Sequence, residues 1–462
     1  MEPEFFLTEK NVQCLTYQGY TFYKDKEYKE KIYWKCAQNE HGCKMRLHTE
    51  GNEIVFCRKE HNHAGSAINV EKRKIITNLK HAAIFCRNTP QQLVVSTSTS
   101  ISFVVAPHLP SSNSLKKMIR RVRQQSDPTN PQNLTDLIIP NEFKITHNNV
   151  NFLLFDSGSS VNRILIFTTD SNLQVLASSK NWYCDGTFHS APLVFQQVFS
   201  IHVIKDSISI PVVFALLPNK KQESYTSVFM QILISKPNIK PQSIMSDFEL
   251  AIVNGWKSVF PETKERFCFF HFSQNIYRKI CSEGLKQRYD CDLEFSFKIK
   301  MLTALAFIPP EDVIVAFELL IVEGEFASEF DIIIDYLEDT YIGRYDLRLR
   351  KRRTPRYCIE HWNQYKAVVD NEPRTNNNME GWHNSFSKLV GTHPTIWKFL
   401  SSLKLEQNNN ELKLERILAG CETATKKKKY RDYDERLQKI VKKYNSDTKI
   451  TYLRSVAHNI SI

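Results

Sequence analysis

The chain has 462 residues, 42% of them hydrophobic and 11% aromatic, with 62 Lys+Arg against 50 Asp+Glu and a formal net charge of +12. That content excludes an intrinsically disordered chain and suffices for two or three domains with sizeable cores. The positive excess points to a polyanionic partner, of which nucleic acid is the commonest. The longest apolar stretches, such as Ile208 to Leu217, fall short of the ~20 residues that span a bilayer, so no membrane partner is expected. The first residues lack a basic segment followed by an apolar run, so no signal peptide is expected either. Eleven scattered cysteines suit metal ligands or buried thiols in a reducing compartment, cytosol or nucleus.

In chain order, residues 1–65 are rich in aromatics, Lys, Cys and His, with β-rich runs at Tyr20–Tyr23, Lys31–Lys35 and Glu53–Phe56. Residues 66–90 read as basic helix, and Gln91 to Ser114, rich in Ser and Thr with Pro107 and Pro110, as a linker or irregular strand region. Ser114 is an expected N-cap for a helix with Leu115, Met118, Ile119 and Val122 on one face and Lys116, Lys117, Arg120, Arg121 and Arg123 on the other. From about residue 150 strands and helices alternate. Strands are expected at Arg163–Thr169, Trp182–Asp185, Ser243–Ser246 and Arg266–Phe270, with a hairpin of Val194–Ile204 and Ser209–Leu216 around Lys205-Asp206. Helices are expected at Glu223–Ser235, Phe248–Val259 and from Ser273 onward. This order predicts an α/β fold with a mixed sheet of the ribonuclease-H-like type. A mostly helical insertion over residues 284–370 precedes the last core helix. The end of the chain is basic: 426–443 hold nine Lys/Arg against three Asp/Glu, expected as a solvated helix or tail.

Cys36, Cys43, His61 and His63 stand in a C-x6-C-x17-H-x-H pattern. Two thiolates and two imidazoles are what tetrahedral Zn²⁺ prefers, and a region this small gains much of its folding free energy from the metal; Cys57 is an alternative ligand. Phe22, Tyr33, Trp34 and Cys36, then Gly42-Cys43-Lys44-Met45-Arg46, then Glu60-His61-Asn62-His63 together resemble the FLYWCH-type zinc finger over roughly residues 12–64. The resemblance implies a small β-rich zinc-binding domain that contacts DNA or protein.

Three acidic residues stand in unusual settings. Asp185 closes an apolar run and precedes Gly186, Asp247 follows a second short apolar run, and Glu380 sits near the start of a helix after a polar N-cap stretch. The strands ending at Asp185 and Asp247 are expected to be neighbours, with Glu380 completing a cluster of hard oxygen ligands suited to Mg²⁺ or Mn²⁺. Asp185-Gly186-Thr187-Phe188, Ser246-Asp247, Cys268-Phe269-Phe270-His271-Phe272 and Arg374 to His383, with Tyr341-Ile342-Gly343-Arg344 and Trp362-Asn363 between, resemble the Mutator-like element (MULE) transposases over about 150–410. The resemblance implies a ribonuclease-H-like core carrying a helical insertion, with Asp185, Asp247 and Glu380 as catalytic metal ligands of an Asp–Asp–Glu site. Cys268 and His271 are that family's C-x2-H pair. They are candidates for a second zinc site with His383, or else a buried thiol and a DNA-facing donor. The seven Lys/Arg of Arg344 to Arg356 are either a phosphate-contacting surface or a solvated loop.

The expected organisation is a FLYWCH-type finger at 1–65, a helical basic linker region at 66–149, the first part of the core at 150–283 and the insertion at 284–370. The last core helix with the catalytic Glu follows at 371–410, and a basic C-terminal helix or tail at 411–462. The leading expectation is a nuclear Mg-dependent DNA transposase with structural Zn²⁺. Such an enzyme binds the terminal repeats of its element and target DNA, cleaves phosphodiesters and transfers strands; assembly as a homo-oligomer on DNA is a further expectation. The competing expectation is a host-recruited DNA-binding transcription or chromatin regulator with an idle core. A metal-dependent nuclease without strand transfer shares every residue with the first.

Overall fold

A computed structural model describes all residues except 1, 2, 8–11, 59, 87, 100, 325, 422–427, 461 and 462, so part of the basic C-terminal stretch lies outside the described residues. The chain divides into two compact units, Met1–Thr129 and Asn130–Ile462. Among the described residues no helix is long and apolar enough to cross a membrane.

The first unit opens with a six-stranded antiparallel meander, β1 (Glu4–Leu7), β2 (Gln13–Tyr17), β3 (Tyr20–Tyr28), β4 (Lys31–Cys36), β5 (Arg46–Glu50) and β6 (Glu53–Arg58), each strand paired with the next. Gln18 and Gly19, both at positive φ (49° and 79°), close the β2–β3 hairpin, as a two-residue turn matched to strand twist requires. Leu15, Phe22, Trp34, Met45 and Leu47 fill one face together with Cys36 and Cys43, and Trp34 Nε1 donates to Thr49 Oγ1 at 2.9 Å. A cluster this small is thin support for a separate domain.

Three helices follow: α1 (Ala67–Phe85), α2 (Pro90–Ser98) and α3 (Ser112–Ser126). The Ser/Thr-rich stretch expected as linker or irregular strand is therefore partly helix. Thr89 and Gln92 form a capping box around Pro90 at the first helical position, and Leu93 and Val94 pack against Leu79, Ala83, Leu115 and Ile119. Helix α3 begins three residues earlier than its pattern suggested, because Ser111 is the cap and its hydroxyl accepts from Ser114 N. Arg123 is not a solvent-facing cation: its guanidinium donates to the carbonyls of Ala83, Cys86 and Asn88.

The second unit is built on a seven-stranded sheet. Its strands are β7 (Leu153–Asp156), β8 (Leu165–Phe167), β9 (Asn181–Thr187), β10 (Gln197–Lys205), β11 (Ile208–Leu217), β12 (Ser243–Ser246) and β13 (Lys264–Phe267). The spatial order is β13-β12-β9-β10-β11-β8-β7. Strand β9 pairs antiparallel with β10 and parallel with β12, and β12 parallel with β13. The expected β10–β11 hairpin is present, turning at Asp206 and Ser207 with φ of 47° and 66°. The sheet is covered on both faces, as alternation along its strands dictates. Ile166, Phe199, Ile201 and Ala215 belong to one core, with Leu173 and Leu176 of α4 (Asp170–Ala177), Val228 and Phe229 of α5 (Gln222–Ser235) and Val253 and Trp256 of α6 (Leu250–Lys257). Leu165, Phe167, Val198 and Phe214 belong to the other, with Trp382 and Phe386 of a later helix.

The expected strand Arg266–Phe270 ends at Phe267. Residues Phe269–Ser282 are helix α7, and Cys268 is its N-cap residue. The reason is tertiary: Cys268 N still donates to Ser246 O, but Phe269 N turns to Arg374 O, so the ladder stops and the helix starts. Between α7 and residue 370 lie α8 (Lys286–Cys291), α9 (Leu293–Ala304), α10 (Val313–Glu323), α11 (Asp331–Leu337), α12 (Ile359–Trp362) and α13 (Tyr365–Val369), with a short hairpin, Tyr345–Asp346 against Lys351–Arg352. The remaining helices are α14 (Asn377–Val390), α15 (Ile396–Leu418), α16 (Lys428–Val441) and α17 (Lys449–Ala457). The basic C-terminal region is not a free tail, because Leu437, Val441, Leu453 and Val456 are buried in the main core and Tyr452 OH donates to Phe307 O at 2.5 Å.

Gly343 closes the π-helical turn Glu338–Ile342 that follows α11, at φ +94°, and a Cβ there would lie 2.0 Å from Arg353 O. Gly343→Ala is accordingly expected to destabilise the protein by about 1–3 kcal/mol through clash and backbone strain, read as a lower urea midpoint. An unchanged midpoint would show that the Arg344–Arg353 hairpin shifts freely.

Candidate metal centres

In the first unit the ligand set assembles from three places. Cys36 ends β4, Cys43 follows a turn closed by Gly42 at φ 89°, and His61 and His63 follow β6. Their four ligand atoms lie within 4.8 Å of one another. Cys36 Sγ is 3.2 Å from His63 Nε2, Cys43 Sγ is 3.4 Å from His61 Nδ1, and the two histidine nitrogens are 3.2 Å apart. Tyr20 stacks flat on His61, with ring centroids 3.5 Å apart, and its hydroxyl donates to His63 O. Gln38 N donates to Cys36 Sγ, a contact that favours the thiolate. Burial pushes the Cys36 thiol up to about 11 and the His61 imidazole down to about 4. The imidazole is thus already in the neutral form a metal needs, while the thiol needs the metal to lose its proton. Cys57 is exposed and outside the set. Among the described residues this is the one group of three or more Cys, His, Asp or Glu gathered so closely, and its donor set and size fit structural zinc.

In the second unit Asp185 lies within β9 and Asp247 directly after its parallel neighbour β12. Gly186 N donates to Asp185 Oδ1 at 2.8 Å. A Cβ at 186 would stand 2.7 Å from Gln197 Oε1, so a larger residue there displaces that buried amide. Helix α14 is set by a pinned approach. Arg266 holds Glu372 and the Pro373 carbonyl, and Asn376 N and Oδ1 both bond the Cys268 thiol. Met379, Trp382, His383 and Phe386 are the buried face, with Glu380 half-buried beside them.

Burial pushes the Asp185 carboxyl up to about 7, and the charges of Asp247, Glu380 and Glu249 add to it, against the Gly186 N–H. Burial and then Glu249 push Asp247 up to about 6, against Lys220, and burial raises Glu380. Asp247 Oδ1 is buried with no hydrogen-bond partner. These carboxylates thus feel one another's fields, although their oxygens are not drawn together as the Cys/His set is. Glu249 is the member sequence reasoning missed. It accepts from Tyr225 OH at 2.8 Å and from Lys220 Nζ at 3.1 Å, and only its position two residues after Asp247 could have flagged it.

His383 Nε2 stands 3.3 Å from Asp185 Oδ2, at an angle that leaves both ring nitrogens without a hydrogen bond. Burial holds the His383 and His271 imidazoles down at about 4 and pushes the Cys268 thiol up to about 12. Cys268, His271 and His383 are not gathered into a metal-sized group; the thiol is taken by Asn376 and His383 faces Asp185. Of the basic run, Arg344, Arg352 and Arg353 are ion-paired with Asp335, Asp339, Glu318, Glu338 and Asp346, so much of its charge is neutralised within the chain.

The raised carboxylates have a pH signature. Their folded values lie above the unfolded carboxylate range, so stability held below about pH 4 is lost as pH rises towards 7. Asp185→Asn removes that loss. In metal-free protein its stability relative to the parent chain is expected to climb from near zero at pH 4 to the order of a few kcal/mol at pH 8, by urea unfolding with chelator. A pH-independent difference would show that Asp185 does not titrate in this window.

No curated protein matches the chain. The family model of the FLYWCH zinc finger domain matches residues 5–63, the stretch that builds the β-meander and its Cys/His cluster. That of the MULE transposase domain matches residues 181–275, from the start of β9 into α7, including Asp185, Asp247, Cys268 and His271. The chain therefore carries an N-terminal FLYWCH zinc finger domain followed in sequence by a MULE transposase domain.

Proposed function

We propose that the protein is a DNA transposase whose catalytic ligands are Asp185, Asp247 and Glu380 on a ribonuclease-H-like core. The observation that carries this reading is the placement of Asp185 on β9 and of Asp247 directly after the neighbouring parallel strand β12, each carboxyl raised by burial and then by the acids around it. The sheet order supports it: β9 is flanked on one side by the antiparallel hairpin β10–β11 and on the other by parallel β12 and β13. Hard oxygen donors, half-buried, with Asp185 raised by the charges of Asp247 and Glu380 as well as by burial and with Asp247 Oδ1 unpartnered, fit Mg²⁺ or Mn²⁺. When bound, such ions supply Lewis acidity for in-line phosphoryl transfer.

The chain's own residues hold and orient that site. Gly186 N–H fixes one Asp185 oxygen. Tyr225 and Lys220 fix Glu249 beside Asp247. Arg266, Cys268 and Asn376 anchor the turn that presents Glu380. Neutral His383 closes the site over Asp185. The zinc finger and the cationic face of α3 bind DNA, phosphate contacts giving affinity and base contacts the choice of site. The enzyme works in the nucleus on the terminal repeats of its element and on target DNA, assembling as a homo-oligomer there. The test is incubation of the purified chain with Mg²⁺ or Mn²⁺ and duplexes carrying the repeats that flank its coding region. Metal-dependent nicking and joining are expected; DNA binding without either product would overturn the enzymatic reading.

A further inference from the structure

Beside Asp247 a cleft of about 440 Å³ opens between α7, the end of α11 and residues 356–357, within the ~300–1,000 Å³ range of sites that enclose a small ligand. One wall is a single helix face: His271, Asn275 and Arg278 follow one another at four- and three-residue steps along α7. Cys268 N is bonded to Ser246 O, so this face starts at the carboxylate end of β12 and leads away from it. Arg356 lines the cleft too. Both arginines are exposed, and neither is ion-paired with a carboxylate among the described residues, unlike Arg344, Arg352 and Arg353 nearby. His271 Nδ1 is buried without a partner. Asn275 spends one amide hydrogen on Tyr341 OH; the half-buried ring of Tyr336 completes the lining.

Neither guanidinium is tied to a carboxylate, although Arg356 lies over the Tyr357 ring at 5.4 Å, and two such cations make a fork for phosphate oxygens. An orphaned imidazole nitrogen, an amide and a half-open tyrosine ring beside them suit a heteroaromatic base with hydrogen-bonding edges. We propose that the cleft holds one unstacked nucleotide of the DNA strand that enters the carboxylate site, its phosphate between Arg278 and Arg356 and its base against His271, Asn275 and Tyr336. The helical insertion thereby supplies a strand-binding subsite, contiguous with the metal site at Asp247. This rests on the transposase reading above. A free nucleotide has the same recognisable chemistry, and the test separates the two.

The probe is a duplex with a single unpaired 5-iodouracil nucleotide, mixed with the full chain and calcium and irradiated. Crosslinks are expected in the α7 peptide or at Tyr336. Replacing both arginines (Arg278→Ala with Arg356→Ala) should lower crosslinking at least about tenfold and reduce the salt slope of binding by about two, with thermal unfolding unchanged because both side chains are exposed. Crosslinks confined to other segments, or a double variant with unaltered crosslinking and slope, would overturn the proposal. Competition by free deoxynucleoside monophosphate at concentrations that leave duplex binding intact would overturn the assignment to the strand. Persistent crosslinks in a chain that never cleaves would sink the enzymatic reading alone, and cleavage without these crosslinks would sink the cleft alone.

Discussion

Asp247→Asn is expected to lower metal-dependent strand cleavage by at least about 10²–10³-fold, the scale for losing one preorganised electrostatic contributor, while DNA affinity stays the same. The substitution is nearly isosteric, so its consequence is electrostatic. Asp247 has a buried oxygen with no partner in the chain, and burial and Glu249 make its charge costly. A group of that kind is stabilised by a compensating cation or by taking up a proton. Asparagine keeps the shape, removes the charge and relieves the repulsion, so the variant is expected to be at least as stable as the parent in chelator. Loss of activity together with loss of stability would mean a folding defect. Full activity in a folded variant would remove Asp247 from the site. The two measurements are single-turnover cleavage and urea unfolding, made on the same preparations.

Removing zinc is expected to unfold the β-meander of residues 13–58 while leaving the second unit folded. The reason is one of scale. Among the described residues the buried cluster of the meander has seven members, two of them the ligands Cys36 and Cys43, whereas structural zinc contributes about 10–16 kcal/mol to small fingers. The second unit has its own large cores and no share in the Cys/His set. Chelation, or Cys43→Ser, should therefore speed amide exchange across β3 to β6 to that of an unfolded chain, with the protection of β9 to β12 retained. Native mass spectrometry should find one zinc in the parent chain and none in the variant. Protection of the meander that survives chelation, with no zinc bound, would overturn the assignment.

The sequence by itself determined the features whose information is local. The Cys/His set was legible because metal ligands sit on short turns beside strands, and spacing along the chain becomes spacing in space. The hairpin around Lys205 and Asp206, the strand Ser243–Ser246 and the helix near 222–235 were legible because alternation and helical period are written over a few residues. Other features depended on partners far away in the chain. Phe269 leaves the expected strand because Arg374 O takes its N–H, and the Cys268 thiol is claimed by Asn376, 108 residues on. Ser/Thr-rich residues 90–98 became helix once Leu93 and Val94 had a surface of α1 and α3 to cover. The basic C-terminal region docked because Leu437, Val441, Leu453 and Val456 found the core. Glu249 joined the acidic site only when the fold set Tyr225 and Lys220 against it. Residue type and local spacing determined which groups can bind metal. Which groups repel, which are paired and which are left open was decided by burial and by contacts across the fold, since those fix the local dielectric and the neighbouring charges.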